Sequence, residues 1–91
     1  MARVMFPNLK DKDIHYVEGV IDSLFAIDEF DGKAVVQVTM TDLTYKFLMQ
    51  YVKLDDNGCL RGAKVKIDSN LRQGEIRSRS YKKSNLVARI K

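Results

Sequence analysis

The chain has no tryptophan, one cysteine, one histidine and one proline. A lone Cys59 cannot close an internal disulfide or build a cysteine-rich zinc site, and a lone His15 cannot supply a two-histidine metal site. No apolar run approaches the ~20 residues of a membrane span. The opening Met1-Ala2-Arg3-Val4-Met5-Phe6-Pro7 lacks the apolar core of a signal peptide. These absences predict an intracellular, cytoplasmic protein without a membrane partner. No glycine-rich loop ends in Lys-Ser or Lys-Thr to cradle a phosphate. The acids Asp28, Glu29 and Asp31, and the pair Asp55 and Asp56, flank glycine turns without the alternating spacing of a calcium loop, so they read as turn chemistry. His15 has no nucleophile partner visible in the sequence. The expectation is a protein that is not an enzyme, with no cofactor and no metal.

What remains is enough for one core. The 91 residues are 45% apolar and 31% charged, which suits a single folded module and leaves too little chain for two. Residues 1–13 read as a loose N-terminal arm and 14–91 as the domain. Charge is unevenly distributed. Up to Asp56, six Lys and Arg stand against ten Asp and Glu, a net −4; from Asn57 onward ten stand against two, a net +8. A basic half suits a polyanionic partner, whereas the plainer interpretation is a solvated mixed surface.

Strand periodicity dominates the pattern. From Tyr16 to Asp28 the odd positions Val17, Gly19, Ile21, Phe25 and Ile27 are apolar or small, while Glu18, Asp22 and Asp28 are even. Asp31-Gly32 then forms a favoured hairpin turn into a second strand, Lys33 to Thr41. Under that register Ile27 faces Val36 and Phe25 faces Val38. Gly19 marks a bulge.

Leu43 to Leu54 fits two readings. A helix starting at Thr41 or Asp42 collects Leu43, Phe47, Leu48, Tyr51, Val52 and Leu54 on one stripe. A strand pairs through Asn57-Gly58 with Ala63 to Asn70, and leaves Tyr45, Phe47 and Tyr51 beside Lys64 and Lys66 on the other face. The strand is preferred, and the helix stays open. Ile76 begins a last strand that resumes at Leu86, Ala88 and Ile90, with 77–85 as a long basic hairpin loop.

Binding of single strands calls for cations to replace phosphate counterions and flat side chains for base stacking. The candidate nucleic-acid-binding residues are Lys33, Tyr45, Tyr51, Lys64, Lys66, Arg72, Arg77, Arg79, Tyr81, Lys82 and Lys83. Tyr81 lies between Arg79 and Lys82, where it can stack while its neighbours hold phosphates. The competing interpretation places Phe47 and Tyr51 in the core and leaves the basic loop as a solvated tip.

The run Leu60-Arg61-Gly62-Ala63-Lys64-Val65-Lys66-Ile67, with the basic stretch and Leu86-Val87-Ala88-Arg89-Ile90 after it, resembles the second half of an oligonucleotide-binding (OB) barrel. The first half resembles one through Glu18-Gly19-Val20-Ile21 and Gly32-Lys33-Ala34-Val35-Val36-Gln37-Val38. Similar runs occur in single-stranded DNA-binding proteins, initiation-factor-like RNA binders and short replication proteins of filamentous phages. The resemblance covers the chain from about Ile14 onward. It implies an all-β fold, a small five-stranded OB-like barrel, with room for one short helix. It also implies a binding face at Lys33, Gln37, Tyr45, Tyr51 and the loop 77–83. The expected function is non-catalytic binding of single-stranded DNA or RNA. The alternative is a small β-module that binds or inhibits a protein partner, and an open strand edge would offer a route to a homodimer.

Overall fold

The computed structural model describes residues 2–82. Its elements run β1 (Arg3–Met5), α1 (Ile14–Phe30), β2 (Lys33–Met40), α2 (Asp42–Leu48), β3 (Lys64–Ile67) and β4 (Glu75–Lys82). The chain is therefore a mixed α/β protein. The expected five-stranded, all-β OB-like barrel does not form: the sheet has four strands in the order β1-β4-β2-β3, and it is open.

The segment 16–28 is helix and not strand. Asp13 caps α1, its carboxylate accepting the His15 N–H at 2.7 Å. Val17, Ile21, Leu24, Phe25 and Asp28 are buried along one side, which is helical spacing. Asp31-Gly32 stops the helix instead of turning a hairpin. Gly32 takes φ 74° and donates its N–H to the Glu29 carbonyl, as a glycine just past a helix end does.

Leu43 to Leu54 also departs from the preferred strand, because α2 occupies 42–48. Thr41 caps it by accepting the Thr44 N–H, and Lys46 pairs with Asp42 at 3.0 Å one turn apart. Its Phe47 and Leu48 are buried. Asn57-Gly58 consequently joins no hairpin of long strands. It lies in a small loop where the Asp55 carboxylate accepts the N–H groups of Asn57 and Cys59.

The expected second strand does form as β2, and the expected strand at 63–70 survives as β3. Its partner is different: β3 pairs parallel to β2, with Val38 opposite Val65 and Met40 opposite Ile67. Such a pairing needs a crossover, and α2 with the loop after it supplies one. β4 lies antiparallel between β1 and β2. That makes β1-α1-β2 a split β-α-β unit with β4 inserted at its centre. The expected basic hairpin loop is thus mostly a central strand, and its expected return at 86–90 lies outside the described residues. β1, together with the fully buried Phe6, falls within the segment read as an arm.

Both helices cover the same face of the sheet. Phe6, just past β1, meets Tyr16 of α1 with ring centroids 6.1 Å apart and Phe47 of α2 at 5.3 Å. Inward-facing Val38 and Met40 of β2 and Ile76 of β4 complete that layer with no exposure. Two buried polar knots tie it to the chain around it. The Ser78 hydroxyl donates to Asp28 of α1 at 2.8 Å and accepts the Ala2 N–H at 2.9 Å. At the start of α2, Thr44 accepts the Gly74 N–H at 2.8 Å, and Thr41 donates to the Gln73 side chain.

Candidate nucleic-acid interface

Side chains alternate across a strand, so the register decides which residues share the face opposite the helices. On β4 the buried Ile76 and Ser78 point inward, and Glu75, Arg77, Arg79 and Tyr81 therefore point outward. Pairing carries the assignment to the other strands. Arg77 stands opposite Arg3 of β1 and Thr39 of β2; Thr39 stands opposite Lys66 of β3. Gln37 stands between Arg79 and Lys64 in the next row, and Ala34 faces Tyr81 beyond it. A bulge at Val36 shifts the β2 phase between those last two rows.

The outward face therefore presents Lys66-Thr39-Arg77-Arg3 in one cross-strand row and Lys64-Gln37-Arg79 in the next. Neighbouring strands are ~4.8 Å apart and same-side residues on one strand ~6.8 Å apart. Arg3, Lys64, Lys66, Arg77 and Arg79 are all exposed. The Arg79 guanidinium lies over the Tyr81 ring, 5.5 Å from its centroid, a cation-π placement that holds both groups on the surface. No described element covers this face.

Among the acids of the chain, only Glu75 belongs to a described strand. Its carboxylate accepts a hydrogen bond from Arg77 Nε and lies 3.9 Å from Arg3 Nη1. It also receives the Arg72 backbone N–H at 3.4 Å. The Arg77 hydrogen bond foremost holds the Glu75 carboxyl below its ordinary value against the opposing effect of burial, with the Arg72 N–H and the Arg77 and Arg3 charges adding to it. Glu75 is accordingly ionised at neutral pH, and the face keeps five cations against one anion.

Helix α1 has the opposite sign. α1 contains Glu18, Asp22, Asp28 and Glu29 and no Lys or Arg. The charge asymmetry of the sequence thus appears in part as a difference between elements: α1 is acidic, with Asp22 paired to Arg61 and Asp28 buried, and the open sheet face is basic. A polyanion approaching such a molecule is steered to the sheet side.

Of the residues anticipated as binders, Lys64, Lys66, Arg77, Arg79 and Tyr81 come together on this face. Lys33 and Lys82 pair with each other in the register, but share the parity of Val35 and Ser80 and so point to the helix-bearing side. Arg72 is exposed in the loop before β4. Tyr45 is half-buried against the core. Tyr51 packs on Phe47 with ring centroids 5.3 Å apart, and its hydroxyl accepts the Lys12 N–H at 2.9 Å. The platform of Tyr45 and Tyr51 expected from a strand at 43–54 therefore does not exist. Lys83 lies outside the described residues. Two charged residues of the face were not anticipated, Arg3 and Glu75. Arg3 had a faint signal: the apolar Val4 and Phe6 are two residues apart, the spacing of one strand face, which sets Arg3 on the other.

Tyr51→Ala should consequently lower the melting temperature, because it removes ring contact with Phe47 and the acceptor for the Lys12 N–H. Truncating a partly buried aromatic of this kind costs about 2–4 kcal/mol. Oligonucleotide affinity of the folded fraction should be unchanged. A Tyr51→Ala protein that melts normally but binds more weakly would restore Tyr51 to the interface.

Other chemistry is sparse. Cys59 is a free thiol at the end of the 55–59 loop, and His15 is exposed in the first turn of α1. Among the described residues, no group of three or more His, Cys, Asp and Glu side chains is placed to hold a metal ion, and no helix is long and apolar enough to cross a membrane. Comparison of the chain with protein-family models, curated proteins and solved structures finds no match.

Proposed function

We propose that the protein binds single-stranded nucleic acid, without cutting it, along the open face of its sheet. One observation carries this reading: strand register gathers Arg3, Lys64, Lys66, Arg77 and Arg79 from three strands, with Tyr81 beside them, on the face that neither helix covers. Spaced cations replace the counterions of successive phosphates, and Tyr81 offers a ring on which a base can stack. Gln37 and Thr39, between the cations on β2, add uncharged donors and acceptors for sugars or base edges.

The shape of the face favours single strands over duplex. A duplex read by β structure admits a two-stranded ribbon into a major groove about 12 Å wide. Four strands span ~14 Å between their outer backbones alone, too broad to enter. A flexible single strand can instead lie across the rows.

The test is a titration of fluorescent single- and double-stranded DNA and RNA oligonucleotides at several salt concentrations. The expected result is single-strand binding that weakens linearly in log–log form as salt rises. Failure to bind any oligonucleotide at low salt would sink the proposal.

A further inference from the structure

An acid at the rim of a basic face, beside Arg77 and Arg3, calls for a physical reason, because its charge subtracts from attraction to a polyanion. Three observations supply one. Arg3 and Arg77 stand directly opposite each other in the β1–β4 register, and like charges so placed repel. Glu75 lies between them, accepting from Arg77 Nε and standing 3.9 Å from Arg3 Nη1. Its side chain is only 3% exposed, whereas those of Arg77 and Arg3 are 45% and 66% exposed.

A carboxylate so enclosed does not meet a ligand; the arginines around it do. Because Arg77 spends Nε on Glu75, its terminal Nη1 and Nη2 donors remain for an external anion, held at a fixed angle. Guanidinium forks suit phosphate oxygens, and an arm fixed beforehand loses less rotamer freedom on binding than a free one. We infer that Glu75 is a positioning residue that binds Arg3 and Arg77 into a guanidinium pair gripping one phosphate of the bound strand. This rests on the nucleic-acid reading above and adds to it a single strong phosphate site at the β1–β4 junction.

The experiment measures affinity for a fluorescent oligothymidine against salt, with a melting curve for each protein. Glu75→Ala should weaken binding about three- to tenfold, the range set by one or two freed side chains. It should also flatten the salt slope by ~0.7, one phosphate contact. Glu75→Gln, which keeps an oxygen for Arg77 Nε, should recover most of the affinity. In an Arg3→Ala/Arg77→Ala background, Glu75→Ala should cause no further loss.

Tighter binding with a steeper slope in Glu75→Ala would show that the carboxylate merely opposes phosphate, and would overturn the inference. So would unchanged binding, a loss with an unchanged slope, or an equal loss in the double-arginine background. If Glu75→Ala does not fold, Arg77→Lys decides the matter. It keeps the charge but lacks the fork, so a loss like that predicted for Glu75→Ala supports the pair and full affinity refutes it. Should the unaltered protein bind no oligonucleotide at low salt, the nucleic-acid reading itself fails, a result distinct from any change confined to the variants.

Discussion

Gly74→Ala is expected to destabilise the protein by about 3 kcal/mol or more, enough to remove a large share of the stability of a domain this size. Two costs coincide there. Gly74 has φ 89°, a region that disfavours any side chain, and a Cβ at this position would run into the carbonyl oxygen of Phe6. The collision falls on backbone that cannot easily yield, because the Phe6 N–H donates to the Gly74 carbonyl at 2.9 Å. On its other side the Gly74 N–H donates to Thr44 in the buried knot at the start of α2. A shift at Gly74 therefore loosens β1, β4 and α2 together. Gly32→Ala is the control: it has φ 74° with nothing within 4 Å of its added Cβ, so it should cost only the ~1–2 kcal/mol of the backbone conformation. Urea unfolding of both variants measures the difference. Equal midpoints would show that the close approach to Phe6 is not rigid.

That junction bears on how far the sequence disclosed the fold. β2 and β3 were visible, because Val36, Val38, Val65 and Ile67 alternate cleanly with polar residues. α1 was misread for a specific reason. Val17, Ile21 and Phe25 are spaced by four, which satisfies both a period of 2 and a period of 3.6. The residues that separate the two are Leu24 and Asp28, both buried and both even-numbered. A strand period puts Asp28 on a polar face, whereas it sits in the core as the acceptor of the Ser78 hydroxyl. Ile27 and Phe30, 49% and 92% exposed, added apolar positions outside the core and blurred the helical stripe further. Gly19 in mid-helix costs roughly 1 kcal/mol against alanine and pointed away from a helix as well.

β4 was hidden by its inward residues. Ser78 and Ser80 occupy positions where a sheet usually places apolar side chains, so the stretch looked like a polar loop. Ser78 is tolerated because Asp28 descends from α1 to meet its hydroxyl, a long-range pairing that local pattern cannot reveal. The outward alternation of Arg77, Arg79 and Tyr81 was nevertheless legible, as was that of Lys64 and Lys66. The cations of the site could thus be named before their strands were placed correctly. What could not be read was which of them share a face, because that follows from the order β1-β4-β2-β3, and strand order is set by packing far apart in sequence.

The largest expected effect on binding tests that shared face. Lys64→Gln, Lys66→Gln and Arg79→Gln together should flatten the salt slope for single strands by ~2, at ~0.7 per phosphate contact. Affinity at low salt should fall roughly a hundredfold, since charge-assisted contacts are each worth about 1.5–3 kcal/mol when fully formed and surface solvation reduces that. Glutamine is chosen over alanine because β3 is an edge strand with Ile67 already 46% exposed, and stripping its polar side chains would invite edge-to-edge pairing. Arg77 is left in place so that the Glu75–Arg77 contact is the same in both triple variants. The matched control replaces Lys10, Lys46 and Lys53, three exposed cations from the acidic half of the sequence, with glutamine. Both triple variants lose the same formal charge. If attraction came from net charge alone, the two would weaken equally, with similar slopes. If the open sheet is the interface, the control should stay within a few-fold of the unaltered protein, because a charge more than about 10 Å from the bound phosphates is largely screened at 0.1 M salt. Equal losses in the two variants would remove the sheet face from the account and leave only a basic protein attracted to polyanions in general.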